Sequence, residues 1–241
     1  VDACSDPPWR PAGSVALPAD VAWRKFRRYY VASAGECMRI ESLFVTQVYA
    51  ARLQHARSRL NARLLLECLQ LRHDDATGRR WSAQNYAGGY TSYGSASRMH
   101  ERSPTFAALA RRIDRHVRAY ARALAFDIDV RRLAMTDCWI NIMPRGVAHG
   151  AHLHPLSLVS GTYYVRTPSG SAGLKFEDPR LERLMAAPPR RRHARRELRG
   201  WVGGPGRAGR GVLFESWLRH EVPAGRTASE RVSISFNYGL R

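Results

Sequence analysis

CWINIMPRGVAHGAHLHPLSLVSGTYYV, residues 138–165, is the stretch whose reading decides the fold. Two apolar runs rich in β-branched and aromatic residues bound it, 139–143 and 158–165, and both read as strands. Between them, a connection punctuated by Pro144, Gly146, Gly150 and Pro155 carries His149, His152 and His154. On an extended chain, side chains two residues apart leave the same face, so His152 and His154 point together. Two imidazoles converging from one strand edge form half of a metal site. The other half is expected near the C-terminus.

There the chain reads VLFESWLRHEV (212–222) and then ERVSISFNY (230–238). His220 follows an apolar run, and Arg231-x-Ser233 comes eleven residues later on an alternating strand. Val232, Ile234 and Phe236 would face one side of that strand, and Arg231, Ser233 and Ser235 the other. An arginine on the interior face of a barrel is costly unless a buried anion pairs with it. A planar guanidinium beside a hydroxyl is a common device for holding a carboxylate. A single histidine beside a strand is more often an ordinary core or surface residue, and His-x-His alone is a weak signal. The combination with Arg231 and Ser233 is what makes a site: histidines for a metal, and an Arg/Ser pair for a carboxylate-bearing ligand.

Further strands are expected at 133–135, 173–176, 211–214 and 232–238, separated by turn signals, the pattern of an all-β sandwich or barrel. Upstream, Leu53, Leu60, Leu64, Leu65 and Leu69 recur at helical spacing, which predicts an amphipathic helix over about 51–71. Ser103-Pro104 opens a second helix with the stripe Phe106, Leu109, Ile113, Val117, Tyr120 and Leu124. The Gly-, Ser- and Tyr-rich segment 81–97 is read as a loop with short strands. The segment 180–210, with ten arginines, is read as a mobile surface loop. Both are expected to wall the pocket. FEDPR (176–180) is read as a structural turn.

At 241 residues the chain suits one large domain, here taken as 38–241, beginning where Met38 opens an alternating strand. Residues 1–37, with four prolines, a short possible helix at 19–30 and no signal-peptide pattern, are read as an appendage. Lys and Arg number 39 against 20 Asp and Glu, for a net charge of +19, and all the basic residues but Lys25 and Lys175 are arginine. Because arginine is spread through every segment, a solvated basic surface is preferred to a nucleic-acid-binding face. No apolar run reaches the roughly 18 residues of a membrane span. Four scattered cysteines without C-x-x-C spacing read as free thiols in a reducing cytoplasm.

The motifs W-x-N (139–141), H-x-H-P-x-S (152–157), SG-x-YYV (160–165), FEDPR, FESWLRHEV (214–222) and ERVSISFN (230–237) occur in order. Over about residues 39–241 they resemble a bacterial family of 2-oxoglutarate/iron(II) oxygenases without an assigned substrate. The resemblance implies a mainly β, double-stranded β-helix (jelly-roll, cupin-like) core with N-terminal helices packed on one sheet. It implies iron(II) on His152 and His220, 2-oxoglutarate's distal carboxylate on Arg231 and Ser233 with Tyr164 beside it, and oxygen as the oxidant. Asn141 joins the cosubstrate pocket, with Trp139 either beside it or in the core. The reaction implied is hydroxylation of an unidentified small molecule or protein, with release of succinate and carbon dioxide. Most of that superfamily carry Asp or Glu where this chain has His154. Either the metal takes three histidines, the preferred reading, or His154 stands behind the ligands and Asp137, Glu215 or Glu221 supplies a carboxylate. His149 is read as a loop or substrate-pocket residue rather than a ligand. The rivals are a three-histidine enzyme that does not use 2-oxoglutarate and a degenerate barrel that binds polyanions.

Overall fold

The computed structural model describes residues 29–33 and 36–241, in two compact units, Val1–Val45 and Thr46–Arg241. In the first unit, β1 (Tyr29–Ser33) and β2 (Glu36–Ile40) form an antiparallel hairpin. Of the helix expected at 19–30, residues 19–28 lie outside the described residues, and Tyr29 and Tyr30 open β1. The strand expected at Met38 is β2, which precedes the division at Thr46.

The second unit runs β3 (Tyr49–Arg52), α1 (Arg59–Asp74), α2 (Ala76–Asn85), β4 (Tyr90–Thr91), α3 (Met99–Arg102) and α4 (Pro104–Ala123). There follow β5 (Leu133–Met143), β6 (His149–His152), β7 (Val159–Arg166), β8 (Lys175–Glu177) and β9 (Trp201–Gly203). Last come β10 (Arg210–Glu215), β11 (His220–Val222) and β12 (Arg231–Leu240). A six-stranded sheet has the order β3-β10-β7-β12-β5-β4 and a four-stranded sheet the order β6-β11-β8-β9, with every strand pair antiparallel. This is the jelly-roll architecture, with the helices on the outer face of the larger sheet.

Period-2 alternation explains the layering. Ile140 and Ile142 of β5, Val159, Tyr163 and Val165 of β7, and Val232, Ile234, Phe236 and Tyr238 of β12 share one core with the helix stripe Phe106, Leu109, Ile113, Val117 and Tyr120. Their neighbours Asn141, Ser160, Thr162, Arg231, Ser233 and Asn237 are buried on the opposite face. A buried polar sheet face is what a fold built only for stability avoids. Gly161 is required where β7 crosses β12, since a Cβ there would lie 2.6 Å from the Phe236 ring.

Several expectations need correction. The first helix starts at Arg59, not near Ala51, because residues 49–52 pair with β10 and Ser58 caps the helix, its Oγ accepting from the Asn61 N–H at 3.1 Å. Residues 81–85 are helical: Asp75 accepts from the Gly78 N–H at 2.8 Å and starts α2, which carries Trp81. The 180–210 segment holds two short 3-10 turns and β9, which adds an edge strand to β8. The second helix begins at Pro104 under a Ser103 cap, as its sequence indicated.

Candidate metal centre

Antiparallel pairing of β6 with β11 places His152 directly opposite His220. His154 follows two residues beyond β6, where its N–H bonds to the Ser216 carbonyl at 3.0 Å and holds it against the end of β10. Ring centroids are 4.4 Å apart for His152–His220, 5.1 Å for His154–His220 and 5.3 Å for His152–His154. A ligand nitrogen from each of the three lies within 4.8 Å of the others, close enough for the three to converge on one ion. No carboxylate joins this group among the described residues.

Hydrogen bonding decides which nitrogens face inward. Nδ1 of His152 meets the Gly150 carbonyl at 2.7 Å, Nδ1 of His220 the Leu218 carbonyl at 2.9 Å, and Nδ1 of His154 the Asn237 Oδ1 at 2.6 Å. A carbonyl oxygen can only accept, so each Nδ1 carries the proton and each Nε2 keeps its lone pair for a metal. Burial lowers the pKa of all three imidazoles, that of His220 to about 3, which keeps them neutral and able to ligate. Behind His154, Asn237 Oδ1 also accepts from Ser160 Oγ at 2.8 Å, while its Nδ2 donates to Asp137 at 3.3 Å. Asp137 therefore stands behind the third histidine. Glu221 is engaged by Lys175 at 2.7 Å, away from any ligand role.

On β12, Arg231 and Ser233 face a small cavity with the three histidines, Asn141, Trp139 and Tyr86. Arg231 is 4% exposed. Among the described residues its Nε has no hydrogen-bond partner, its Nη1 meets the Met143 sulfur at 3.0 Å, and its guanidinium lies 5.1 Å over the Tyr164 ring. The adjacent Glu230 is turned to Arg72 and Arg166. Tyr164 thus meets Arg231 with its ring face, while its hydroxyl accepts from the Leu174 N–H at 3.3 Å. Asn141 donates to Ser235 at 3.0 Å and leaves its Oδ1 unpartnered in the cavity. His149 stacks on His152 at 4.2 Å and stays outside the three-ligand group.

Sequence reasoning missed Tyr86 and Asn237. Tyr86 lay in a segment without a chemical signature, and Asn237 reads as one more polar residue of an alternating strand. The 180–210 segment lines neither cavity that meets the histidines, and instead borders a separate one of about 470 Å³ beside β8 with Arg180, Arg196 and Arg199.

Metal-ready histidines on the smaller sheet of this jelly roll and a buried arginine on the larger one line one cavity. Residues 137–237, the part of the chain holding every one of these groups, match the family model described as "Putative 2OG-Fe(II) oxygenase". No curated protein sequence matches the chain. Among solved structures, a prolyl-4-hydroxylase from Pseudomonas putida is 18% identical with a TM-score of 0.54, covering 81% of this chain and 94% of its own. The epimerase SnoN of nogalamycin biosynthesis, crystallised with Fe3+ and alpha ketoglutarate, is 16% identical with a TM-score of 0.57, covering 80% of this chain and 78% of its own. HygX from Streptomyces hygroscopicus, with nickel and 2-oxoglutarate, is 14% identical with a TM-score of 0.53, covering 81% and 83%.

Proposed function

We propose that the protein hydroxylates an organic substrate at the expense of 2-oxoglutarate, with His152, His154 and His220 holding iron(II) and with Arg231 and Ser233 holding the cosubstrate's distal carboxylate. The observation that carries this reading is the Arg231 guanidinium, buried beside three neutral imidazoles with no carboxylate partner among the described residues. A buried cation left alone is strongly destabilising, and a dicarboxylate reaching from the histidines into this cavity would pair it. Iron(II) held there supplies the oxidising chemistry of the class, in which decarboxylation of 2-oxoglutarate to succinate is coupled to oxidation of a second molecule.

The chain's own residues prepare the site. The carbonyl acceptors orient Nε2 of each histidine, and a three-residue ligand set leaves further coordination positions for cosubstrate and oxygen. A neutral third ligand in place of a carboxylate leaves the metal unit more positive, which favours a dianion. Trp139, Tyr86 and Leu174 keep water from the arginine and so strengthen its attraction for an anion. Two of the structural neighbours hold a metal with 2-oxoglutarate, which makes that pair the first to test. No helix among the described residues is long and apolar enough to cross a membrane. A cytoplasmic location is proposed with the rest, supported by the free thiols Cys68 and Cys138.

The decisive experiment is anaerobic titration of 2-oxoglutarate into iron-loaded protein. Losing one member of a buried charge pair costs about 3–5 kcal/mol. Arg231→Ala is therefore expected to weaken binding from about a hundredfold to several thousandfold. Arg231→Lys recovers part of this, because an ammonium lacks the planar fork. Ser233→Ala costs less, about 1–2 kcal/mol. Equal binding by Arg231→Ala and the parent overturns the cosubstrate assignment and leaves a three-histidine enzyme of another kind.

A further inference from the structure

A second cavity, of about 280 Å³, shares Tyr86, Trp139, His149, His152 and His154 with the first but contains neither Arg231 nor Ser233. Those five side chains line both cavities. The walls of the second cavity are aromatic. Ring centroids are 6.3 Å apart for Trp81–Tyr93, 5.2 Å for Tyr93–Trp139 and 5.6 Å for Trp139–His154. The rings run in file from Tyr93, 53% exposed, to a histidine of the metal group. Gly94 underlies this file, because a Cβ there would lie 2.8 Å from the Trp81 indole. Among the described residues no Asp, Glu, Lys or Arg lines the cavity, in a chain of net charge +19.

We propose that this cavity binds the substrate to be oxidised, and that the group it takes is an uncharged ring. The inference rests on the oxygenase reading above and adds a substrate class to it. Aromatic walls favour a flat or ring-shaped partner, through the area it buries and through offset or edge contacts. An anion meets no lysine or arginine among the described lining residues and gives up its hydration to ring faces. A cation meets ring faces but no carboxylate among them. A neutral ring avoids both costs.

Benzamide, benzoate and benzylammonium share one ring and differ in charge, so calorimetric or NMR titration of the metal-loaded protein with each tests the class. Benzamide is expected to bind at least about tenfold more tightly than either ion. Trp81→Ala and Tyr93→Ala are each expected to weaken benzamide binding severalfold, the range of a lost ring contact. Tyr93 is half exposed, so its truncation leaves the core alone even if the Trp81 variant proves insoluble. An ion binding as tightly as benzamide, or unchanged benzamide binding in Tyr93→Ala, overturns the proposal. Binding of 2-oxoglutarate to the parent protein, measured alongside, separates the two levels. If 2-oxoglutarate binds and benzamide does not, this inference alone falls; if 2-oxoglutarate does not bind, the oxygenase reading falls and takes this inference with it.

Discussion

Asn237 decides which nitrogen of His154 is free. Its Oδ1 takes the Nδ1 proton at 2.6 Å, and its own orientation is set by Ser160 and Asp137. Asn237→Ala is expected to weaken binding of cobalt(II) or iron(II) about 10- to 100-fold with little change in fold, which equilibrium dialysis would measure. The histidines themselves separate more sharply. His152→Ala and His220→Ala are expected to abolish stoichiometric metal binding, because the two form the cross-strand pair of the site. His154→Ala is expected to cost more than the Asn237 change, whereas His154→Asp restores a carboxylate and keeps or raises affinity. An iron dissociation constant for His154→Ala no worse than that of Asn237→Ala would place His154 behind the ligands. At this scale the sequence was informative, since H-x-H, His220 and Arg-x-Ser named the residues by chemical type. It could not show that every imidazole has a carbonyl behind it, because two of those acceptors are backbone atoms without a side-chain signature.

Local chemistry at the element ends explains which boundaries could be read. Ser103-Pro104 is a strong start signal and α4 obeys it. Asp75 is the less obvious case. It starts α2 through the Gly78 N–H, and its other oxygen accepts from the Tyr90 hydroxyl at 2.9 Å and from Ser95, tying α2 to β4 and to the segment that carries Tyr93. Partial burial raises the Asp75 pKa, but the hydrogen bonds from Ser95, Gly78 and Tyr90 outweigh it, so the carboxyl ends below its ordinary value. A depressed carboxyl stabilises the fold fully above the unfolded-state value, near pH 4, and that contribution is lost as pH falls through the folded-state value. Asp75→Ala is expected to cost about 1–2 kcal/mol at neutral pH, and the gap from the parent should close on acidification. Urea unfolding of both proteins from neutral pH down to about pH 3 would show it. A gap that stays constant with pH would mean that Asp75 does not act as a charged cap.

Across the whole molecule, one core couples the helices to the strand that carries Arg231. Phe236 is fully buried between α4's layer and β7, against Gly161, and lies five residues along β12 from Arg231. Phe236→Ala is expected to cost about 3–5 kcal/mol in chemical denaturation, the range for a large aromatic truncated in a closed core. Because the jelly roll is held by long-range pairing of β12 with both β5 and β7, that loss is expected in one cooperative transition of the second unit. A second transition, with the sheets melting apart, would show that the smaller sheet is held independently of this core.

The sequence by itself determined the period-2 strands, the β-sandwich or barrel pattern and the stripe of α4, because these follow from alternation and side-chain type, and it named the histidines that the structure brings together. It also placed His152 and His154 on one edge, since residues two apart on an extended chain share a face. Only tertiary structure decided that His220 lies opposite His152, that Asp137 acts through Asn237, and that Glu230 turns away from Arg231. Register between strands far apart in the chain is fixed by the packing of both sheets together and leaves no mark on any one strand. The aromatic file of Trp81, Tyr93 and Trp139 is the extreme case. It joins α2, the loop after β4, and β5, three segments that no local pattern connects.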